Sequence, residues 1–221
     1  MPSVLVINPN ANPMVTAGVD RALEPFRQAT RSTIHVIGLT GTPYGIESQR
    51  DVDTVTGPLA SHVATHSEDY DAFVIACFSD PGLHGSREAT DRPVLGIASC
   101  GLLSALALGD TVGVVSIGAG SLARHWRLYR AMGVASRVCA DLPVNASVAD
   151  LAEGRKMGER MLAVGRRLVD DHGAQVLVLG CAGMAEYRAP LEAALGVSVV
   201  DPVQAATGMA ITAATLRYAT R

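Results

Sequence analysis

The strongest constraint on this chain is that it carries one pattern twice. An apolar run, Phe73–Ala76, ends on Cys77 and the turn-forming segment Phe78-Ser79-Asp80-Pro81-Gly82. A second run, Pro93–Ile97, begins about sixteen residues after that cysteine. In the other half Val176–Gly180 ends on Cys181 and Ala182-Gly183-Met184, and Val197–Asp201 follows after the same interval. The runs Val4–Asn8 and Thr111–Ser116 precede the two cysteines at similar separations. Repetition of this kind dictates architecture before any single residue does. It implies two similar lobes facing each other across a cleft.

Short β-branched runs predict strands at Val4–Asn8, Thr33–Gly38, Ala72–Ala76, Val94–Ile97, Thr111–Ser116, Val138–Ala140, Gln175–Leu179 and Ser198–Val200. Helical spacing between them predicts helices over Met14–Gln28, Val52–Ser67, Gly85–Thr90, Leu122–Met132, Val148–Asp171, Pro190–Leu195 and Ala205–Ala219. The strand runs are continuously apolar, as parallel strands covered on both faces are. Strands alternating with helices give the fold class: α/β, two pseudo-symmetric doubly wound lobes with parallel sheets and a cleft between them. Residues 1–104 with 205–221 are expected to form the N-terminal lobe and residues 105–204 the C-terminal lobe. The last helix is expected to pack back on the first lobe. With 221 residues, 48% of them hydrophobic, such a chain buries roughly 70% of its unfolded surface. That excludes a disordered chain or a disulfide scaffold.

The net charge of −3 removes the electrostatic case for a nucleic-acid or anionic-membrane partner. The longest charge-free stretch, Pro93–Gly109, is too short and too glycine-broken to span a membrane. Met1-Pro2-Ser3 runs straight into apolar residues with no basic segment, so a cytoplasmic location with reduced cysteines is expected. No two cysteines have CxxC spacing, and no glutamate follows His62 as an HExxH zinc motif requires. Neither a metal nor a cofactor such as pyridoxal phosphate or nicotinamide is expected.

Open α/β sheets bind ligands beyond the carboxyl ends of their strands, and Cys77 and Cys181 both stand there. The residues after each, Phe78-Ser79 and Ala182-Gly183, can present backbone N–H groups to a ligand. A helix beginning there would lower the thiol pKa. Two thiols on opposite walls of one cleft suit racemisation of a carbon acid: one thiolate removes the proton and the other thiol returns one to the opposite face. The N–H groups following the cysteines are the expected donors to the enolate oxygen, each worth roughly 3–4 kcal/mol. Cys100 and Cys139 are expected to pack in the core. Asn8 and Asn10, at the end of the first strand, suit either a pocket or a helix cap. His84 is a further candidate for orienting substrate. Arg124, Arg127 and Arg130, spaced i, i+3, i+6, predict a solvated helix face, and Asp201-Pro202 a strand terminator.

Four segments carry a resemblance to a known family: Ile7-Asn8-Pro9-Asn10, Ile46-Glu47-Ser48, Ala76-Cys77-Phe78-Ser79-Asp80-Pro81-Gly82-Leu83 and Leu179-Gly180-Cys181-Ala182-Gly183-Met184. Together they resemble the hydantoin and allantoin racemase branch of the aspartate/glutamate racemase superfamily. The resemblance implies a homo-oligomer acting on a small molecule without a cofactor. Cys77 and Cys181 would be its acid/base pair, and Asn8 and Asn10 would line the pocket. It also implies a pocket role for the turn after the second lobe's first strand, Ser116-Ile117-Gly118. Thr42–Gly45 and Ser116–Arg130 depart from the family's pattern. A 5-substituted hydantoin or allantoin is the expected substrate. The alternatives are an aspartate/glutamate-type racemase, an arylmalonate-type decarboxylase (which keeps only the second cysteine) and a two-lobed small-molecule binding protein. The absence of cations from the two cysteine turns argues against a dicarboxylate substrate.

Overall fold

The computed structural model describes residues 1–148, 150–151 and 154–218. Its strands are β1 Ser3–Asn8, β2 Thr33–Gly38, β3 Ala72–Ile75, β4 Val94–Gly96, β5 Val112–Ser116, β6 Val138–Pro143, β7 Val176–Gly180 and β8 Ser198–Val200. They form two four-stranded sheets in the orders β2-β1-β3-β4 and β6-β5-β7-β8, and every pairing is parallel. The two orders are equivalent, which is the expected pseudo-symmetric α/β architecture. β1, β3, β5 and β7 are almost wholly buried, which is why their sequences are continuous apolar runs. In each sheet the chain order reverses between the two central strands. That switch point is where open sheets leave a crevice.

The helices are α1 Pro13–Ala22, α2 Glu24–Ala29, α3 Gln49–Thr65, α4 Leu83–Glu88, α5 Ile97–Leu106, α6 Leu122–Ala131, α7 Arg155–Asp170, α8 Arg188–Leu195 and α9 Pro202–Leu216. Several boundaries differ from expectation for local reasons. The helix expected over Met14–Gln28 breaks at Leu23, where Pro25 opens α2; proline fits a first turn, where its missing N–H costs no helical hydrogen bond. α3 starts early because Ser48 and Asp51 form a reciprocal capping box. α7 begins at Arg155 rather than Val148, and Ala149, Ala152 and Glu153 of that expected helix lie outside the described residues. α9 starts at Pro202, capped by the Asp201 side chain on the Gln204 N–H. Its expected end at Ala219 lies outside the described residues, as do residues 220 and 221.

Helix α5 is the largest departure, since the sequence reading places a strand end and a lobe boundary there. An all-round apolar helix lacks the one-sided periodicity that betrays a surface helix, and Ile97, Ala98, Cys100, Leu102 and Ala105 are all buried. Its cap comes from elsewhere in the chain. The Asp80 carboxylate accepts hydrogen bonds from the Ala98 and Ser99 N–H groups, both at 2.9 Å. Gly96 is required for this, because a Cβ there would collide with the Asp80 carboxyl. α5 and α9 hold equivalent positions in the two halves and pack against each other. They meet closely at Gly101, where a Cβ would stand 2.8 Å from the Pro202 Cβ. α9 also lies against β1, β3 and β4.

Candidate active site

Each half delivers its cysteine one or two residues past a central strand. Cys77 follows β3 and opens a tight turn, its carbonyl accepting the Asp80 N–H at 3.0 Å. Cys181 follows β7 and caps a 3₁₀ segment, Ala182–Tyr187. Both half-buried thiols line one narrow cavity of ≈ 40 Å³, room for a few water molecules. The duplicated pattern therefore does place the two sulfurs on one cleft.

The cavity wall also contains Asn10, Phe78, Ser79, Ile117 and Ala182. Asn8 and Ser116 stand one layer back. Asn8 is fully buried, and its amide donates to Asn10 Oδ1 at 3.0 Å and to Thr16 Oγ1 at 2.9 Å. It thereby fixes Asn10, whose Oδ1 also caps the Asn12 N–H. Gly183 lines an adjoining chamber of ≈ 370 Å³ instead, with Met14, Tyr44, Leu151 and Ala185. Val15 belongs to both spaces. His84 is exposed on α4, away from the cavity.

The electrostatics run against the sequence expectation. No regular helix begins at either cysteine: α4 starts only at Leu83, and the segment after Cys181 is 3₁₀. Burial pushes the Cys77 thiol up to about 12 and the Cys181 thiol up to about 11. The Ser79 N–H on Cys77 and the Gly183 N–H on Cys181 oppose that rise without reversing it. Ser79 and Gly183 supply two of the four N–H groups expected to serve an enolate oxygen, the others being those of Phe78 and Ala182.

The raised thiols have a consequence for stability. In the unfolded chain a thiol ionises near its ordinary value of 9, while the folded thiols stay protonated to 11 or 12. The folded state therefore holds more protons above pH 9, and stability falls as pH rises from 9 through 11. Thermal unfolding from pH 8 to 11 should show a Tm that declines more steeply in the parent chain than in Cys77→Ser. Equal slopes would mean that Cys77 ionises as freely folded as unfolded.

Sequence reasoning missed two residues, both on α6. Arg124 is only 9% exposed and lines the cavity. The expected solvated arginine face therefore fails at Arg124, while Arg127 bonds Gln49 and Arg130 covers the Trp126 ring. His125 is buried, also lines the cavity, and meets the Phe78 ring edge-on at 5.1 Å. Behind it, Asp141 Oδ2 takes His125 Nδ1 at 2.9 Å and the Tyr129 hydroxyl at 2.7 Å, and Asp141 Oδ1 takes the Ser116 hydroxyl. Among the described residues no three metal-ligating side chains come together, and no helix is long and apolar enough to cross a membrane.

The Asp/Glu/hydantoin racemase family model matches residues 4–210. A hydantoin racemase from Pseudomonas sp. (strain NS671) is 35% identical, over 95% of this chain and 84% of its own. Another from Paenarthrobacter aurescens is 34% identical, over 98% and 93%. The allantoin racemase structure from Klebsiella pneumoniae superposes with a TM-score of 0.94 at 26% identity, covering 100% of this chain and 91% of that one. With two equivalent sheets, a cysteine at each switch point and a family match over nearly its whole length, the chain belongs to the Asp/Glu/hydantoin racemase family.

Proposed function

We propose that this protein is a cofactor-independent racemase of a small cyclic ureide, a 5-substituted hydantoin or allantoin, with Cys77 and Cys181 as its acid/base pair. The observation that carries the reading is the placement of two thiols, one from each half of the chain, on one cavity. One thiolate takes the proton from the carbon beside the carbonyl, and the electron pair moves onto the carbonyl oxygen. The second thiol then protonates the planar carbon from the opposite face. The roles of the two sulfurs exchange in the reverse direction.

The high thiol pKa values make each thiolate scarce at neutral pH, but a strong base once formed, as a weak carbon acid requires. Asn10 and the backbone can hold a neutral ureide by hydrogen bonds alone. The ≈ 370 Å³ chamber beyond Val15 is lined mainly by apolar side chains and suits the C5 substituent. Because the cavity between the thiols is small, the lobes part to admit the ring. Cytoplasmic residence and a homo-oligomer complete the proposal.

The test is incubation of single enantiomers of 5-alkylhydantoins and of allantoin in deuterium oxide, followed by polarimetry and mass spectrometry. Loss of rotation with deuterium at the stereocentre is expected. Loss of a carboxyl group from a malonate would instead identify a decarboxylase, and binding without exchange a receptor.

A further inference from the structure

The proposed reaction generates an enolate oxygen, and of the backbone donors near the thiols the Ser79 and Gly183 N–H groups also favour the thiolates. We infer that Arg124 is the enolate-stabilising residue of this site, an inference that rests on the ureide racemisation proposed above. Its guanidinium is buried in the wall that also holds Cys77 and Cys181. Two backbone carbonyls grip it: Nη1 donates to Gly120 O at 2.8 Å and Nη2 to Glu47 O at 3.1 Å. An arginine has five N–H groups, so these two bonds leave three unspent. One of the three, Nε–H, is buried without a partner.

No carboxylate among the described residues pairs with this cation. The acids nearest it in the fold are turned to other work. Glu47 offers Arg124 its carbonyl, while its carboxylate accepts the Val148 N–H at 2.9 Å. Asp51 accepts from the Glu47 and Ser48 N–H groups and from the Ser48 hydroxyl, and it feels Arg124 only through space, as the weakest of the influences on its carboxyl. A buried guanidinium with no carboxylate bonded to it is costly unless negative charge arrives nearby; a Cys77 thiolate is one such charge, and the carbonyl oxygen of the reacting ureide is another. A fixed cation in the cavity wall that meets charge only during the reaction acts on turnover rather than on binding of the neutral ring. The same residue answers the sequence-based argument from missing cations: the cysteine turns lack one, but α6 supplies it.

The experiment compares R124Q, R124K and R124A with the parent enzyme on a neutral 5-alkylhydantoin. In parallel, calorimetry follows binding of the neutral hydantoin and of parabanate, a planar anionic five-membered ureide. The expected result for R124Q is a kcat lower by about 10²–10³-fold with KM little changed. R124K should be intermediate, and added guanidinium salt should restore R124A. Parabanate should bind R124Q at least about tenfold more weakly, with the neutral ring hardly affected. A kcat within about threefold of the parent overturns the inference, since one lost donor is worth far more. So does parabanate that fails to bind the parent or binds R124Q equally well. Arg124 lies close enough to favour the Cys77 thiolate slightly, so a modest fall in Cys77 alkylation is expected; a fall as large as that in kcat overturns the inference, because Arg124 would then act only as the counter-charge of the thiol. If the parent racemises no ureide, the functional reading fails by itself, and the parabanate titration still decides Arg124.

Discussion

Cys77→Ser and Cys181→Ser should each reduce racemisation by about 10³-fold or more, because the cycle needs a base on one face and an acid on the other. A serine hydroxyl cannot stand in for a thiolate at neutral pH. Each variant keeps one thiol, so each should still exchange the α-proton of a single enantiomer with solvent deuterium, slowly and with retention. The two variants should prefer opposite enantiomers. Polarimetry measures the loss, and mass spectrometry of each enantiomer in deuterium oxide measures the residual exchange. Both variants should unfold within about 1 kcal/mol of the parent, since the change at a half-buried cleft wall is small. Near-normal racemisation by either one would return its cysteine to a packing role and demand a one-base mechanism.

The largest effect on stability is expected behind the cavity. Asp141 is 5% exposed and accepts from His125, Tyr129 and Ser116. Burial and the neighbouring Asp141 carboxylate both raise the Tyr129 pKa, so the phenol remains a donor throughout the working range. Removing the carboxylate leaves the buried Tyr129 hydroxyl without its acceptor and the Ser116 and His125 side chains with only each other, 3.1 Å apart. Asp141→Ala should therefore lose about 3–5 kcal/mol of unfolding free energy. Tyr129→Phe, which deletes one donor and leaves the acceptor satisfied by two others, should lose only about 1 kcal/mol. Urea denaturation of the two variants checks the ratio. Equal, small losses would mean that the network closes without Asp141. Because His125 also lines the cavity, Asp141→Asn should lower activity in addition, by freeing the ring to rotate.

The sequence by itself determined the architecture. A repeated strand, cysteine and small-residue turn implies two equivalent lobes, and continuous apolar runs imply parallel strands buried on both faces; both are local patterns. The same repeat brought Cys77 and Cys181 to one cleft, because equivalent positions in facing lobes converge. What tertiary structure alone decided depends on partners far away in the chain. Arg124 reads as a solvated helix position until the Glu47 carbonyl, 77 residues earlier, grips it at the cavity wall. Helix α5 has no cap in its own sequence and takes one from Asp80. The direction of the thiol pKa shifts was likewise out of reach. A strand end followed by small residues suggests a stabilised thiolate, but the value follows from how much water the folded lobes exclude. That exclusion is a property of packing between segments distant in sequence, and no single segment contains it.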